Sequence, residues 1–593
     1  MAVNGDGDRP RRDGERRQEG SRWHWWAILA LAAAALALGA AGFSRYYALQ
    51  GEARSGWHIL YVTLQLFTLE SGPVPGPVPW ELNAARFLAP IVPAWAVVRT
   101  LLLLFGARLR LLRVRRLRDH TVVCGLGRKG RELVRDFHAL GERVVVLERD
   151  GGCENLALCR SLGVPAILGN AADLRSLQAA AAERARHLIA VTGDDGTNVA
   201  IAVLAYRLAR EKREPREGPV NAWVQVVDLR LATLLERHRM LTEAADRFAA
   251  RVFNPYESSA RLALRDHPLD REWLGPRDPR SVRLIVVGFG QMGECLTLQA
   301  ARQGAYANGR PIRITVVDRD AERKEHLFRE RYPDFGRIGA LDFIAGEAAD
   351  PALLAEIQRL ATLPGELTTL AICFDDDSRS LSCALDILPR LREARIPLLV
   401  RMSDAVGLAT LLECEGEQCG WAAAVHPFGM VDGVCNRDTL LHERLDTLAR
   451  ALHETYVGHR LAQGAAPDKP SLRPWDRLDE AYRESNRQAA DQIAVKLRAL
   501  RCTTAPAGSR GAPVDRFADE EVEILARMEH ARWCAERLLA GWTAGQASLE
   551  KRTTPHIVGW DDLDEPTREI DRELVREIPR VVRRVGDQVY RQE

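Results

Sequence analysis

The chain has 593 residues, which at roughly 100–200 residues per domain makes about three to five domains. Its 46 % hydrophobic and 28 % charged content is that of a globular protein and excludes wholesale disorder. The 83 basic and 81 acidic residues leave a net charge of +2, so no global basic field points to a nucleic-acid partner, and none is expected. Eleven cysteines without tight, even spacings do not make a secreted disulfide scaffold. The closest pair, Cys414 and Cys419, lacks a second Cys/His pair at zinc spacing, so no metal site is expected.

Residues 1–22 are polar and Gly/Arg-rich with nearly balanced charges, the composition of a disordered tail. A transmembrane pore domain is expected over 23–105. Trp23, Trp25 and Trp26 open an uncharged run from Trp25 to Phe43 that Arg45, Tyr46 and Tyr47 close. That is the length and the interfacial aromatic belt of a membrane-spanning helix. A second run, Phe87 to Phe105, is interrupted only by Arg99. A basic linker, 106–119, carries Arg108, Arg110, Arg113, Arg115, Arg116 and Arg118, which puts that end in the cytoplasm and, with two spans, the N-terminus as well. The expected location is therefore the plasma membrane, multi-pass, with both termini cytoplasmic.

Between the runs, Trp57 to Leu69 is too short to cross a bilayer and suits a re-entrant helix buried in protein. It ends in Thr68-Leu69-Glu70-Ser71, followed by the rigid stretch PVPGPVPW. Span, short helix, polar turn, span is the layout of a tetrameric cation-channel pore. The turn resembles the Thr-Leu-Glu-Ser filter of bacterial voltage-gated sodium channels, although Gly72 stands where that family has Trp and no voltage-sensor helices precede it. The Thr-Val-Gly-Tyr-Gly signature of potassium filters is missing. Four copies of Glu70 around an axis would form a carboxylate ring that attracts monovalent cations. The alternative is that Glu70 caps a water-facing loop.

Past the arginines a short apolar strand, 121–124, runs into Gly125-Leu126-Gly127-Arg128-Lys129-Gly130 and a helix, and a second strand, 143–147, ends at Glu148. Strand, GxGxxG, helix, strand, acid is the dinucleotide fingerprint, with a tight turn, a close backbone approach for pyrophosphate, helix–strand packing and a ribose acceptor in that order. The pattern repeats at Gly288, Gly290 and Gly293 with Asp318 as the acid. Later landmarks recur too: Gly169-Asn170 and Asp173 answer Gly346-Glu347 and Asp350. A period of this kind means tandem α/β Rossmann domains, 120–270 and 281–445, with parallel sheets.

This arrangement resembles the two-transmembrane potassium-channel-like family gated by RCK (Trk-N) domains, over about residues 23–440. The resemblance implies a homotetramer in membrane lipid whose Rossmann domains form a ring under the pore and bind small ligands rather than catalyse. It carries Gly125, Gly127, Gly130 and Glu148 over as one nucleotide site and Gly288, Gly290, Gly293 and Asp318 as a second. The ligand class is NAD/NADH, ATP/ADP or a signalling nucleotide. The alternative is a degenerate fingerprint that keeps its glycines for the turn and helix packing.

The remainder, 446–593, reads as helical and includes Met528-Glu529-His530-Ala531-Arg532-Trp533 on one helix, then Gly541-Trp542 and Trp560. These landmarks resemble a ryanodine-receptor (RyR) repeat, with Trp560 where animal repeats often have Tyr, and imply a small, mostly α-helical module. Glu529, Trp533 and Glu536 share one helical face flanked by Arg532 and Arg537. Glu529, Arg532, Trp533, Trp542 and Trp560 are thus a candidate site for a nucleotide-like ligand, by stacking and charge-assisted hydrogen bonds. The alternative makes the tryptophans the core of the module. The expected fold class is membrane α, with two spans and a pore helix, then tandem Rossmann domains and the RyR-like module. Neither fingerprint is tied to a His/Asp or Ser/Lys constellation, so no catalytic residue and no enzyme is expected. The expected function is a ligand-gated cation channel, with a non-conducting, nucleotide-binding regulatory membrane subunit as the alternative.

Overall fold

The computed structural model of the chain describes residues 9–68, 74, 77–236, 246–391, 396–404, 425–441, 443–548 and 550–592. Its N-terminal unit is helical. Helix α1 (Arg9–Leu49) runs for 41 residues, so the stretch expected to be a disordered tail is helical from Arg9 onward. Arg, Glu and Gln are good helix formers and continue a helix that the apolar run has already nucleated. Helix α2 (Gly56–Gln65), capped by the Ser55 hydroxyl accepting from the His58 N–H, passes into a 3₁₀ turn, Leu66–Thr68. Glycines on α1 admit its neighbours closely. A Cβ on Gly39 would lie 2.7 Å from the Thr63 methyl, and one on Gly42 2.6 Å from the Leu82 nitrogen.

Helices α3 (Trp80–Leu88) and α4 (Ile91–Arg115) follow, separated by Ala89 and Pro90. Pro90 lacks the N–H that would carry one helix into the next. Two stretches, Ile28–Leu49 and Trp80–Leu101, are long and apolar enough to cross a membrane. They overlap the expected runs Trp25–Phe43 and Phe87–Phe105. Helix α1 continues through Tyr46, which is buried, and the second stretch starts where the proline run ends. The expected basic linker is helical as far as Arg115.

Two parallel six-stranded sheets come next. The first holds β1 (Thr121–Cys124), β2 (Val144–Glu148), β3 (Ala166–Leu168), β4 (His187–Ala190), β5 (Val220–Gln225) and β6 (Phe248–Phe253) in the order β3-β2-β1-β4-β5-β6. The second holds β7 (Ser281–Val287), β8 (Ile312–Asp318), β9 (Gly339–Ala345), β10 (Glu366–Ile372), β11 (Leu398–Arg401) and β12 (Val425–Phe428). Its order, β12-β11-β10-β7-β8-β9, is the same doubly wound topology read from the other edge. All residues of β1 and β7 are buried, as parallel strands covered on both faces require. Helix α5 (Arg128–Ala139) follows β1, α6 (Pro255–Asp266) joins the lobes, and α7 (Gln291–Gln303) follows β7.

The C-terminal region packs α8 (Glu480–Asp491), α9 (Ile493–Ala499), α10 (Asp519–Leu539) and α11 (Glu565–Arg576) with a small antiparallel sheet. That sheet pairs β13 (Cys502–Pro506) and β14 (Ala512–Pro513) with β15 (Asp587–Arg591). One apolar core contains Leu284, Val286 and Leu296 of the second lobe together with Ile493, Leu497, Leu525 and Val581 of this region. The second lobe and the C-terminal region therefore share an interior.

Candidate functional site: the glycine-rich loops and the C-terminal module

Each glycine of the first loop meets a different steric demand. Gly125 ends β1 at φ +97°, and a Cβ there would sit 2.9 Å from the Val191 carbonyl oxygen. A Cβ on Gly130 would fall 2.0 Å from the Gly125 carbonyl oxygen, so α5 rests directly on the loop. Gly127, the N-cap of α5, faces open space. Its side is free for a phosphate at the helix N-terminus, where N–H groups and the helix dipole favour an anion. Glu148, at the end of β2, accepts the Leu126 N–H at 2.6 Å and the Asp150 N–H at 2.9 Å, which locks the acid to the loop.

The second loop repeats this plan with a different lining. Gly288 has φ +91°, and a Cβ there would meet the Phe374 ring at 2.8 Å; one on Gly293 would meet the Gly288 carbonyl oxygen at 2.3 Å. Asp318 accepts the Phe289 N–H at 2.7 Å, the Asp320 N–H at 2.9 Å and the Lys324 ammonium at 2.7 Å. Burial works against its charge, but these hydrogen bonds prevail and hold the carboxyl below its ordinary value. A cavity of about 270 Å³ opens here, lined by Gly290, Asp318, Lys324, Phe374 and Asp375. The Asp375 carboxylate lies 4.0 Å from where a Gly290 Cβ would be and is paired with the Arg401 guanidinium.

The expected ligand residues of the C-terminal module fall into two groups. Glu529 and Arg532 are only 3 % and 2 % exposed and belong to the interior, which corrects their assignment as ligand contacts. The Lys496 ammonium donates to Glu529 at 2.5 Å, and Arg532 bridges Glu529 at 2.8 Å and Glu536 at 2.7 Å. Burial alone would raise the Glu529 carboxyl, yet the two cations hold it down at about 2. Buried charges persist when each is paired and hydrogen-bonded in this way. Trp560 is also buried, its indole N–H donating to Glu523 at 2.9 Å. Trp533 and Trp542 stay half-buried, with the Arg537 guanidinium 5.4 Å and 5.1 Å from their ring centres. The Arg537 Nε is buried without a hydrogen-bond partner. Two indoles around a guanidinium form the surface that can stack a base and hold a phosphate.

Of the expected filter, Thr68 is exposed at the end of its 3₁₀ turn and donates its hydroxyl to the Gln65 carbonyl at 2.8 Å. Leu69, Glu70 and Ser71 lie outside the described residues. Glu81, at the start of α3, accepts from Arg45 at 2.7 Å. A cavity of about 230 Å³ between the lobes, lined by Asp195, Asp228, Glu257, Glu294 and Arg302, has no counterpart among the sequence motifs. These residues come from separate segments with no local pattern. Among the described residues no group of His, Cys, Asp and Glu could hold a metal ion.

Comparison with known proteins places two domains. The TrkA-N domain model matches residues 121–237, which hold the first glycine-rich loop. The RyR domain model matches residues 510–591. The chain is similar to potassium channel protein 1 of Methanocaldococcus jannaschii, 30 % identical over 104 residues, or 18 % of this chain and 31 % of the relative. It is similar also to an uncharacterized protein of Methanothermus fervidus, 29 % identical over 103 residues, or 17 % of this chain and 16 % of the relative. The chain thus spans a third or less of the curated relatives it matches. Among solved structures, GsuK bound to ADP is 17 % identical with a TM-score of 0.39, covering 71 % of this chain and 98 % of that one. The GsuK channel bound to NAD is 15 % identical with a TM-score of 0.40, covering 74 % and 86 %. The human SLO3 gating ring is 10 % identical with a TM-score of 0.35, covering 56 % and 84 %.

Proposed function

We propose that the chain is the subunit of a homotetrameric, ligand-gated cation channel of the plasma membrane, with both termini in the cytoplasm. The observation that carries this reading is the succession of two membrane-length apolar helices with a short helix packed on the first, followed by a TrkA-N domain. The similarity of one stretch to a potassium channel protein supports it. The ligand is a nucleotide held by the first glycine-rich loop, with the Trp533–Arg537–Trp542 surface as a second receptor. On this reading the nucleotide regulates and is not consumed.

Gating follows from differential affinity. A nucleotide that binds the open arrangement of the cytosolic ring more tightly than the closed one opens the pore through α4, and one that binds both equally shifts nothing. Ion flux through the purified chain in liposomes, with and without NAD or ADP, is the test. Nucleotide-dependent cation flux is expected. Nucleotide binding with no flux under any condition would establish the non-conducting regulatory subunit instead.

A further inference from the structure

We propose that Cys534, His530 and Asp571 form a thiol site in the C-terminal module that reacts with hydroperoxides. It stands on the geometry of the module and does not depend on the channel reading. Helix α10 places His530 and Cys534 one turn apart on one face, with the His530 Nε2 3.4 Å from the Cys534 sulfur. Asp571 reaches the other ring nitrogen from α11, its Oδ2 3.4 Å from Nδ1. The Nε2 also lies 2.9 Å from the Val558 carbonyl oxygen. A carbonyl can only accept, so the Nε2 carries a proton, and the carboxylate beside Nδ1 favours the charged ring. The ring thus faces the Cys534 sulfur as a proton donor, and Asp571 orients it.

Burial works against the charge on His530, but its hydrogen bonds to Asp571 and Cys534 outweigh it and push the ring up to about 10. Burial pulls the Asp571 carboxyl upward while His530 opposes it. The thiol is half-buried rather than sealed. Cys124, Cys373 and Cys435, by contrast, are fully buried and pushed up to about 12. A cationic donor beside a half-buried cysteine is the environment of a reactive thiol.

The step balances within the site and its substrate. The sulfur attacks the terminal oxygen of the hydroperoxide, and the S–O bond forms as the O–O bond breaks. The departing alkoxide takes the Nε2 proton and leaves as the alcohol, and the thiol proton returns to the ring. Sulfur is oxidised by two electrons to the sulfenic acid and the peroxide is reduced by two. The new oxygen enters the space bounded by the Nε2 and the His556 and Val558 carbonyls, both 3.9 Å from the sulfur. It therefore displaces the loop that leads to Trp560 and the ring that stacks on Trp533.

The test uses the full-length chain in detergent, treated with hydrogen peroxide, trapped with a cyclic 1,3-dione and read cysteine by cysteine by mass spectrometry. Cys534 is expected to label about tenfold faster than Cys153, a half-buried cysteine with a carbonyl contact. Equal rates in the wild-type chain would overturn the proposal. His530→Gln is expected to bring Cys534 down to the Cys153 rate with labelling of the buried cysteines unchanged. Should that variant expose the buried cysteines and so have unfolded, Asp571→Asn decides, by a reduced Cys534 rate in a folded chain. An unchanged Cys534 rate in a folded His530→Gln or Asp571→Asn chain would also overturn it.

Discussion

Gly127 and Gly130 are three residues apart, and a side chain at each would act on a different property. At Gly127 the backbone is extended and nothing lies within 4 Å of a Cβ, so Gly127→Val should shift the thermal midpoint of the chain little. It should nevertheless abolish binding of NAD or ADP, because the isopropyl group fills the place of the phosphate. Gly130→Ala puts a methyl 2.0 Å from a backbone oxygen and should cost about 1–3 kcal/mol, by the general scale for overpacking. Calorimetric binding and thermal unfolding separate the two. Unchanged binding in folded Gly127→Val would move the nucleotide elsewhere. Titration makes a second prediction at this scale. His530 ordinarily titrates at 6.5 and stands at about 10 in the fold, so its contribution is full below pH 6.5 and is lost as the pH rises to 10. Glu529, lowered from 4.5 to about 2, contributes above 4.5 and loses its contribution as the pH falls to 2. The unfolding free energy should decline on the alkaline side with a slope approaching about 1.4 kcal/mol per pH unit. Between pH 6.5 and 9, below the range where the buried thiols titrate, that slope should disappear in His530→Gln, as read by denaturant titrations at several pH values.

At the scale of elements, the C-terminal region is built into the second lobe. The Arg261 side chain on α6 is 11 % exposed and is held by Asp446 at 2.9 Å and Asp491 at 2.8 Å. The Asp270 carboxylate receives Arg498 through two hydrogen bonds, and the Trp273 indole donates to the Ala499 carbonyl at 2.9 Å. A chain ending at 445 would leave Arg261 without either carboxylate and would open the shared core to water. Breaking a buried pair from one side costs about 3–5 kcal/mol by itself. The truncated chain should therefore aggregate in size-exclusion chromatography, where a monodisperse truncation with the wild-type thermal midpoint would contradict the shared core. The glycine loops, the repeat and the RyR landmarks were legible in the sequence because each is local, with its physical reason contained in a few consecutive residues. The shared core was not, since which helix face meets which lobe is a tertiary choice. For the same reason Glu529, Trp533 and Glu536 read as one ligand-facing stripe. Lys496, which turns Glu529 inward, comes from a different helix 33 residues earlier.

At the scale of the whole molecule, the stretch between α1 and α4 holds three acids, Glu52, Glu70 and Glu81, and two of them are compensated within the subunit, Glu52 by Arg54 at 2.8 Å and Glu81 by Arg45. Glu81 opens α3 and accepts from Arg45 at the end of the first apolar stretch, at 2.7 Å. A carboxylate paired in this way adds little field to a pore mouth, because the guanidinium beside it cancels most of its charge a few ångströms away. Glu70 follows the 3₁₀ turn, and on the proposed tetramer its four copies form the cation-attracting ring. Glu70→Gln should therefore weaken cation-over-anion preference strongly. Glu81→Gln should leave that preference close to wild type and instead loosen the contact between the first span and α3. Arg45→Gln is the discriminating control. It frees the Glu81 charge while leaving Glu70 untouched, so it should preserve or raise cation preference. Reversal potentials in a salt gradient read all three variants. A Glu81→Gln channel that loses selectivity while Glu70→Gln keeps it would move the filter from the turn to the start of α3.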